Sequence, residues 1–207
     1  AAIAEAAPHA ASRDVEEDAE RPAVSADLAL SNLNADVALG RARLLLIGGL
    51  SEARDAAVMT DALVGAALRN GLSVCRIDAG SMRASSMPGL ADLCAEQAGY
   101  GDVVHKVREN LAEVPWGQTK VLNRRSSKPV TLIEALTDIY EVVIVSTGRL
   151  GLNSTLPLFV GLPARVVVVH DGSLAPETVA AAADETAGLG FSQVQAMALP
   201  AAEIAVA

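Results

Sequence analysis

The chain has 207 residues, a size that suits one α/β domain and leaves no room for a second of comparable extent. Half of it is apolar (51%), yet aromatic residues make up only 2%, so its core must be close-packed aliphatic material, which favours helices laid on a sheet. The net charge of −9 argues against nucleic acid or an anionic membrane surface as the default partner.

Residues 1–40 carry eight acidic groups against Arg13 and Arg21, so most of the net charge sits in this leader. Its first part is rich in Ala, contains Pro8 and Pro22, and has little large apolar surface to offset the cost of ordering. It reads as a linker or tail, followed by a short helix near Ala26–Leu39. The remainder, 41–207, reads as the folded domain.

From Arg43 onward short apolar runs alternate with helical periodicity, the pattern of a doubly wound, mainly parallel α/β sheet with helices on both faces. The spacing predicts a strand over Arg43–Gly48 and a helix over Asp55–Arg69, with Gly71 as its left-handed cap. Next come a strand at Ser73–Ile77, a helix at Pro88–Gln97 and another at Asp102–Arg108. A short strand is predicted at Leu111–Val114. A helix over Pro129–Ile139, capped by Ser126 or Ser127, leads into a strand at Glu141–Ser146. Ala164–Val169, with four consecutive valines, reads as a strand covered on both faces. Pro176 lies in the first turn of a helix over Ala175–Ala187, and a last strand is predicted near Gln193–Leu199.

Chemistry in such folds collects beyond the carboxyl ends of the strands. The first such junction runs from Ile47 through Gly48, Gly49, Leu50, Ser51, Glu52, Ala53, Arg54 and Asp55 to Ala57. A phosphate-binding loop there would need Gly-x-x-x-x-Gly-Lys-Ser/Thr: glycines to let backbone N–H groups wrap the phosphates, a Lys to neutralise them, a hydroxyl for Mg²⁺. None of those parts is present. Cys75 and Cys94 show neither a disulfide framework nor metal-ligand spacing, so no metal site is expected and a reducing cytosol is the expected setting.

Three segments carry a family resemblance. Gly71-Leu72-Ser73-Val74-Cys75-Arg76-Ile77-Asp78-Ala79 is similar to Gly-Lys-x-Val-Leu-Leu-Ile-Asp-Ala, and Pro88-Gly89-Leu90-Ala91-Asp92-Leu93 looks like a Gly-Leu-Ser-Asp-Val-Leu helix. Tyr140-Glu141-Val142-Val143-Ile144-Val145-Ser146-Thr147 looks like Tyr-Asp-x-Val-Ile-Ile-Asp-Thr. From about Asp27 to Leu199 the chain resembles the deviant-Walker P-loop ATPases related to MinD and ParA. Within that family it resembles the cytoplasmic domain of bacterial tyrosine kinases and polysaccharide copolymerases. The resemblance implies a P-loop NTPase-like fold and places the phosphate loop on Ala53–Val58.

At the matched positions the chemistry has been replaced. Ala56 stands where the resemblance puts the phosphate-binding Lys, Asp55 where it puts a flanking Gly, Ser146 for a Mg²⁺-associated Asp, and Gly80 for the second of two acidic residues, the first being Asp78. Each loss should cost about 10²-fold or more, because positioning and charge neutralisation supply nearly all of phosphoryl-transfer catalysis. The degenerate pocket is therefore expected to comprise Gly49, Ser51, Arg54, Asp55, Ala56, Asp78, Ser146 and Thr147, with no catalytic residue and with neither ATP nor Mg²⁺ expected to bind well. Ser51 to Asp55 should form a compact turn in which Asp55 or Ser51 caps the following helix.

Arg54 could hold an anion at the helix N-terminus, although a solvated side chain is the plainer reading. His105 and His170 have no nucleophile or triad neighbourhood, and the basic group Lys120, Arg124, Arg125 and Lys128 reads as a solvated loop. The terminal Pro200–Ala207 lacks the tyrosine cluster of the kinases that the chain resembles; its only tyrosines are Tyr100 and Tyr140. The ring-building helix of those kinases falls near Leu28–Val37, where Ser31 and Asn34 stand in the Arg positions.

The resemblance, read with these replacements, implies an inactive pseudo-ATPase or pseudokinase acting as scaffold or regulator in exopolysaccharide or capsule synthesis and export. Its expected partners are other subunits or proteins of a polysaccharide export assembly, and a homo-oligomer is compatible with it. The expected location is cytoplasmic, tethered to the bacterial inner membrane through segments upstream, the chain being a piece of something longer. A divergent ATP-binding tyrosine kinase or ATPase, using Arg54, Ser51, Asp78 and Thr147, and a spatial regulator of the MinD and ParA kind are the alternatives.

Overall fold

Four valines in a row, Val166 to Val169, are all 0% exposed, and a strand can bury both of its faces only in the middle of a sheet covered on each side. The computed structural model describes residues 14–200, with side chains described from residue 26 on. Residues 1–13 of the expected linker and 201–207 of the terminal segment therefore lie outside the described residues, while the linker from Asp14 on is helical. The elements are α1 (Asp14–Ala38), β1 (Leu44–Gly49), α2 (Ala53–Arg69), β2 (Val74–Asp78), α3 (Leu90–Cys94), β3 (His105–Arg108), β4 (Leu111–Val114), α4 (Lys128–Ile139), β5 (Val142–Arg149), β6 (Arg165–His170), α5 (Pro176–Gly188) and β7 (Gln193–Ala198). A 3₁₀ turn spans Leu156–Phe159.

The strands form one sheet in the order β3-β4-β2-β5-β1-β6-β7. Every pairing is parallel except β3 with β4. Alternate residues of the central strands face opposite layers. Leu45, Ile47, Ile144 and Val167 pack with α1 and α2, while Leu44, Leu46, Val145 and Val166 pack with α3, α4 and the 3₁₀ turn. The doubly wound α/β fold expected from the periodicity is the fold of the chain.

Gly71 closes α2 with φ of +78°, the left-handed conformation that glycine adopts without a Cβ penalty. Three elements differ from the sequence reading. Residues Asp102–Arg108 do not form a helix: His105–Arg108 is an antiparallel edge strand against β4, with Lys106, Val107 and Arg108 exposed. Pro88–Gln97 yields only the short α3, because Glu96 takes a φ of +61° and turns the chain out of the helix. The first helix is longer than Ala26–Leu39 and runs through Pro22.

The second half of α1 belongs to the packed body. Ala26, Leu33 and Val37 are buried, with Ala29 and Leu30 packed beside the core on the same stripe. Asp36 of α1 forms an ion pair with Arg165 of β6 at 2.6 Å, and the Arg165 hydrogen bond, stronger than the modest cost of burial, holds the Asp36 carboxyl below the usual carboxylate range. Among the described residues no helix is long and apolar enough to cross a membrane.

Candidate functional site

Three residues, Leu50 to Glu52, connect the carboxyl end of β1 to the first turn of α2. The segment Ala53–Val58, on which the resemblance places a phosphate loop, is thus the start of the helix itself. So short a connection cannot wrap a triphosphate with successive amides, and two of its three amides are already engaged. Leu50 N–H donates to Val169 O at 2.7 Å, and Glu52 N–H donates to Asp55 Oδ2 at 2.9 Å. On the other side Leu150 N–H donates to Gly49 O at 2.8 Å. Gly49 has no room for a side chain, since a Cβ there would stand 2.0 Å from Glu52 O.

Asp55 supplies the reciprocal half of an N-terminal capping arrangement, reaching back from the third helical position to the backbone of Glu52, which occupies the cap position. Ser51 does not cap the helix; its hydroxyl donates to Asp171 Oδ1 at 3.1 Å and so ties the loop after β1 to the loop after β6. Asp55 is 7% exposed. Burial, aided by the nearby charges of Asp171 and Glu52, pushes its carboxyl up despite the bond from Glu52. Asp171 moves the other way: the Ser173 hydroxyl and amide, with a smaller contribution from Ser51, hold its carboxyl below the ordinary range. Beside it His170 is held towards its neutral form by burial, and its Nδ1 accepts the Gly172 amide at 3.1 Å.

Ala56 is 0% exposed and packs in the core layer of α1 and α2. Thr147 is structural as well: its hydroxyl donates to Ile47 O at 3.0 Å, joining β5 to β1, and its own carbonyl accepts the Thr155 hydroxyl. Gly80 lies against the backbone of Thr147 and Gly148, a close crossing of two segments that leaves no room for a side chain.

The remaining candidates, Arg54, Asp78 and Ser146, meet around one cavity of about 500 Å³ between the first turns of α2 and the carboxyl ends of β2 and β5. Arg76, Ser81 and Arg83 line it too; the sequence reading missed them, because Arg83 arrives on the irregular segment after β2. That segment turns at Met82, which has a φ of +52°, and Arg83 N–H donates to Ser81 Oγ. Asp78 Oδ1 accepts from Gly80 N–H at 3.1 Å and Ser81 N–H at 2.8 Å, the local role expected of an Asp that ends a strand. Arg76 is paired with Asp61 at 2.9 Å and Glu113 at 3.7 Å.

His105 lies away from this constellation, its Nε2 within 2.8 Å of Pro88 O. In the basic loop Arg124 donates to Leu152 O and Asn153 O, and Lys128 pairs with Glu96. Among the described residues no group of three or more His, Cys, Asp or Glu could hold a metal ion.

No protein-family model matches the chain, and no curated protein matches it by sequence. Solved structures do. The BceF tyrosine kinase domain superposes with a TM-score of 0.64 at 20% identity, over 82% of this chain and 75% of that one. The chimerical protein CapA2B2 gives 0.64 at 18% identity, over 79% and 80%. The septum site-determining protein MinD from Pyrococcus horikoshii, complexed with Mg-ADP, gives 0.57 at 13% identity, over 74% and 68%. The chain shares their P-loop NTPase-like fold, as the resemblance in its sequence implies.

Proposed function

We propose that this chain is a pseudo-ATPase or pseudokinase domain, a scaffold or regulator in exopolysaccharide or capsule synthesis and export that has kept the nucleotide-binding architecture without its chemistry. The observation that carries the reading is the three-residue junction between β1 and α2, whose Leu50 and Glu52 amides are bound to Val169 and Asp55. A phosphate loop works by offering such amides to the ligand. The replacements at Ala56, Asp55, Ser146 and Gly80 act in the same direction. Structural likeness to bacterial tyrosine kinase domains supports the setting. In that setting the partners are other subunits or proteins of the export assembly, and the domain sits on the cytoplasmic side, tethered to the inner membrane through segments outside this chain.

The divergent-enzyme alternative gains no support from the geometry, since two of its four residues, Ser51 and Thr147, hold their hydroxyls on Asp171 and Ile47. ATP turnover and autophosphorylation with Mg²⁺ test the proposal directly. The expected result is no activity and no change in melting temperature at millimolar ATP, because only a ligand that prefers the folded state can raise it. Turnover that is lost in Asp78→Ala would overturn it and favour a divergent ATPase or kinase.

A further inference from the structure

We propose that the loop after β4 and the turn at the end of β5 form one contact surface for an anionic lipid bilayer, with Lys120, Arg124, Arg125 and Arg149 meeting the headgroups and Val121 and Leu152 entering the interface. The chain as a whole carries −9, yet its sequence holds no Asp or Glu between Glu113 and Glu134, where Lys120, Arg124, Arg125 and Lys128 fall, and none between Glu141 and Asp171, where Arg149 falls. The fold brings these two acid-free stretches together. Arg124 donates to Leu152 O at 3.3 Å and to Asn153 O at 2.7 Å. Lys128 is paired with Glu96, whereas Lys120, Arg124, Arg125 and Arg149 are exposed and form no salt bridge among the described residues. Salt confines the reach of an exposed charge to about 10 Å, so a surface in contact with these loops feels their charge more than the total of the chain.

The apolar groups favour a bilayer over an acidic protein segment. Val121 is 75% exposed beside Lys120, and Leu152 is 99% exposed on the turn that Arg124 holds. A Leu that touches almost nothing of its own protein stands proud of the surface. A folded partner would need a matching pocket for it, while the boundary between headgroups and acyl chains yields to it. Cations around a protruding apolar tip combine attraction to anionic lipid with burial of the tip below the headgroups, the two forces that hold peripheral segments on a membrane. Glu185 of α5 lies beside Leu152 across a shared cavity and marks where the basic surface ends. The inference rests on the proposed function only for its setting beside a membrane. A tether there would hold the domain at about millimolar effective concentration, so a weak surface suffices. The carboxyl ends of β4 and β5 are then turned towards the bilayer.

Co-sedimentation of the full chain with vesicles at low salt tests the surface. Vesicles of phosphatidylglycerol and phosphatidylcholine in equal parts should bind it at millimolar lipid, less so as salt is added, and vesicles of phosphatidylcholine alone should not. Lys120→Gln and Arg125→Gln should each weaken binding by about fivefold, and Leu152→Ser by about tenfold, with the melting temperature unchanged because all three positions are exposed. In Leu152→Trp the new indole should shift its emission to the blue on anionic vesicles, against the constant signal of Trp116, which is 3% exposed. No binding to anionic vesicles, equal binding to both kinds, or affinity indifferent to all three substitutions would overturn the proposal. Association with polyglutamate in place of vesicles would overturn it too, and would assign the surface to an acidic protein partner. None of these results bears on ATP turnover, which tests the inactive reading separately.

Discussion

Gly80 and Gly148 cross with their backbones in contact: a Cβ on Gly80 would stand 2.0 Å from the Gly148 nitrogen, and one on Gly148 would stand 2.6 Å from the Gly80 carbonyl oxygen. Gly148 itself has a φ of +75°, which a side chain would strain. The segment after β2 and the end of β5 can therefore meet here only without side chains. Gly80→Asp should separate them and cost about 3 kcal/mol or more, at the upper end of overpacking. Urea denaturation measures this. A fully stable Gly80→Asp protein would show that the crossing gives way freely.

Ala56→Lys should not restore nucleotide chemistry. With Ala56 fully buried among Leu45, Met59 and their neighbours, the ammonium would enter an apolar layer instead of a phosphate site. The expected outcome is a loss of more than about 2 kcal/mol of stability with no ATP turnover. Turnover in this single variant would show that the helix start can rearrange into a phosphate loop.

The buried Asp55 carboxyl titrates above its ordinary value of 3.8, because burial opposes its charge and Asp171 and Glu52 repel it. A folded-state pKa above the unfolded one means that the native protein holds this proton to higher pH. Stability from Asp55 is then greatest below 3.8 and declines as pH rises through the folded value. Asp55→Asn keeps an acceptor for the Glu52 amide and removes the charge, so it should flatten that part of the pH profile. Asp55→Ala loses the acceptor and should cost about 1 kcal/mol. Both follow from denaturation curves taken between weakly acid and neutral pH.

Asp92 behaves in the opposite sense. Burial pushes its carboxyl up, but the Thr119 hydroxyl and the amides of Gln118, Gly89 and Thr119 outweigh it, so the group titrates below 3.8. Its contribution is complete above the unfolded value and is lost as pH falls through the folded one. Asp92→Ala would leave four donors without their acceptor at a site only 3% exposed, costing about 3 kcal/mol or more and loosening the segment from Trp116 to Thr119. Faster amide exchange at Gln118 and Thr119 is the second measurement.

The two thiols should be inert in the folded protein. Burial raises Cys75 to about 12 and Cys94 to about 11, so the reactive thiolate is scarce at neutral pH. A thiol reagent such as dithionitrobenzoate should label neither residue natively and both after denaturation. Fast native labelling would mean that a core layer opens locally.

Removing the tie between Asp36 and Arg165 should free the packed half of α1 from β6. Asp36→Ala is expected to speed amide exchange over residues 26–38 while leaving β1 and β5 protected, since their amides lie in the central ladders.

What the sequence determined by itself is the alternating architecture, because the decisive signals are local and repeated. The valine run of β6, Pro129 and Pro176 in the first turns of α4 and α5, and Gly71 after α2 each state their conformation within a few residues. What only the tertiary structure decided depends on partners distant in the chain. The segment His105–Arg108 is polar enough to read as helix, and it becomes a strand by pairing with β4. The short α3 ends at Cys94, ahead of Glu96, whose left-handed backbone no local preference announces. Ser51 finds Asp171 across 120 positions, and Arg83 reaches the cavity beside Arg54 only because its segment folds back over the end of β2. A hydrogen bond or a cavity between such groups has no periodicity to reveal it, since side-chain chemistry there is set by where the sheet brings strand ends together.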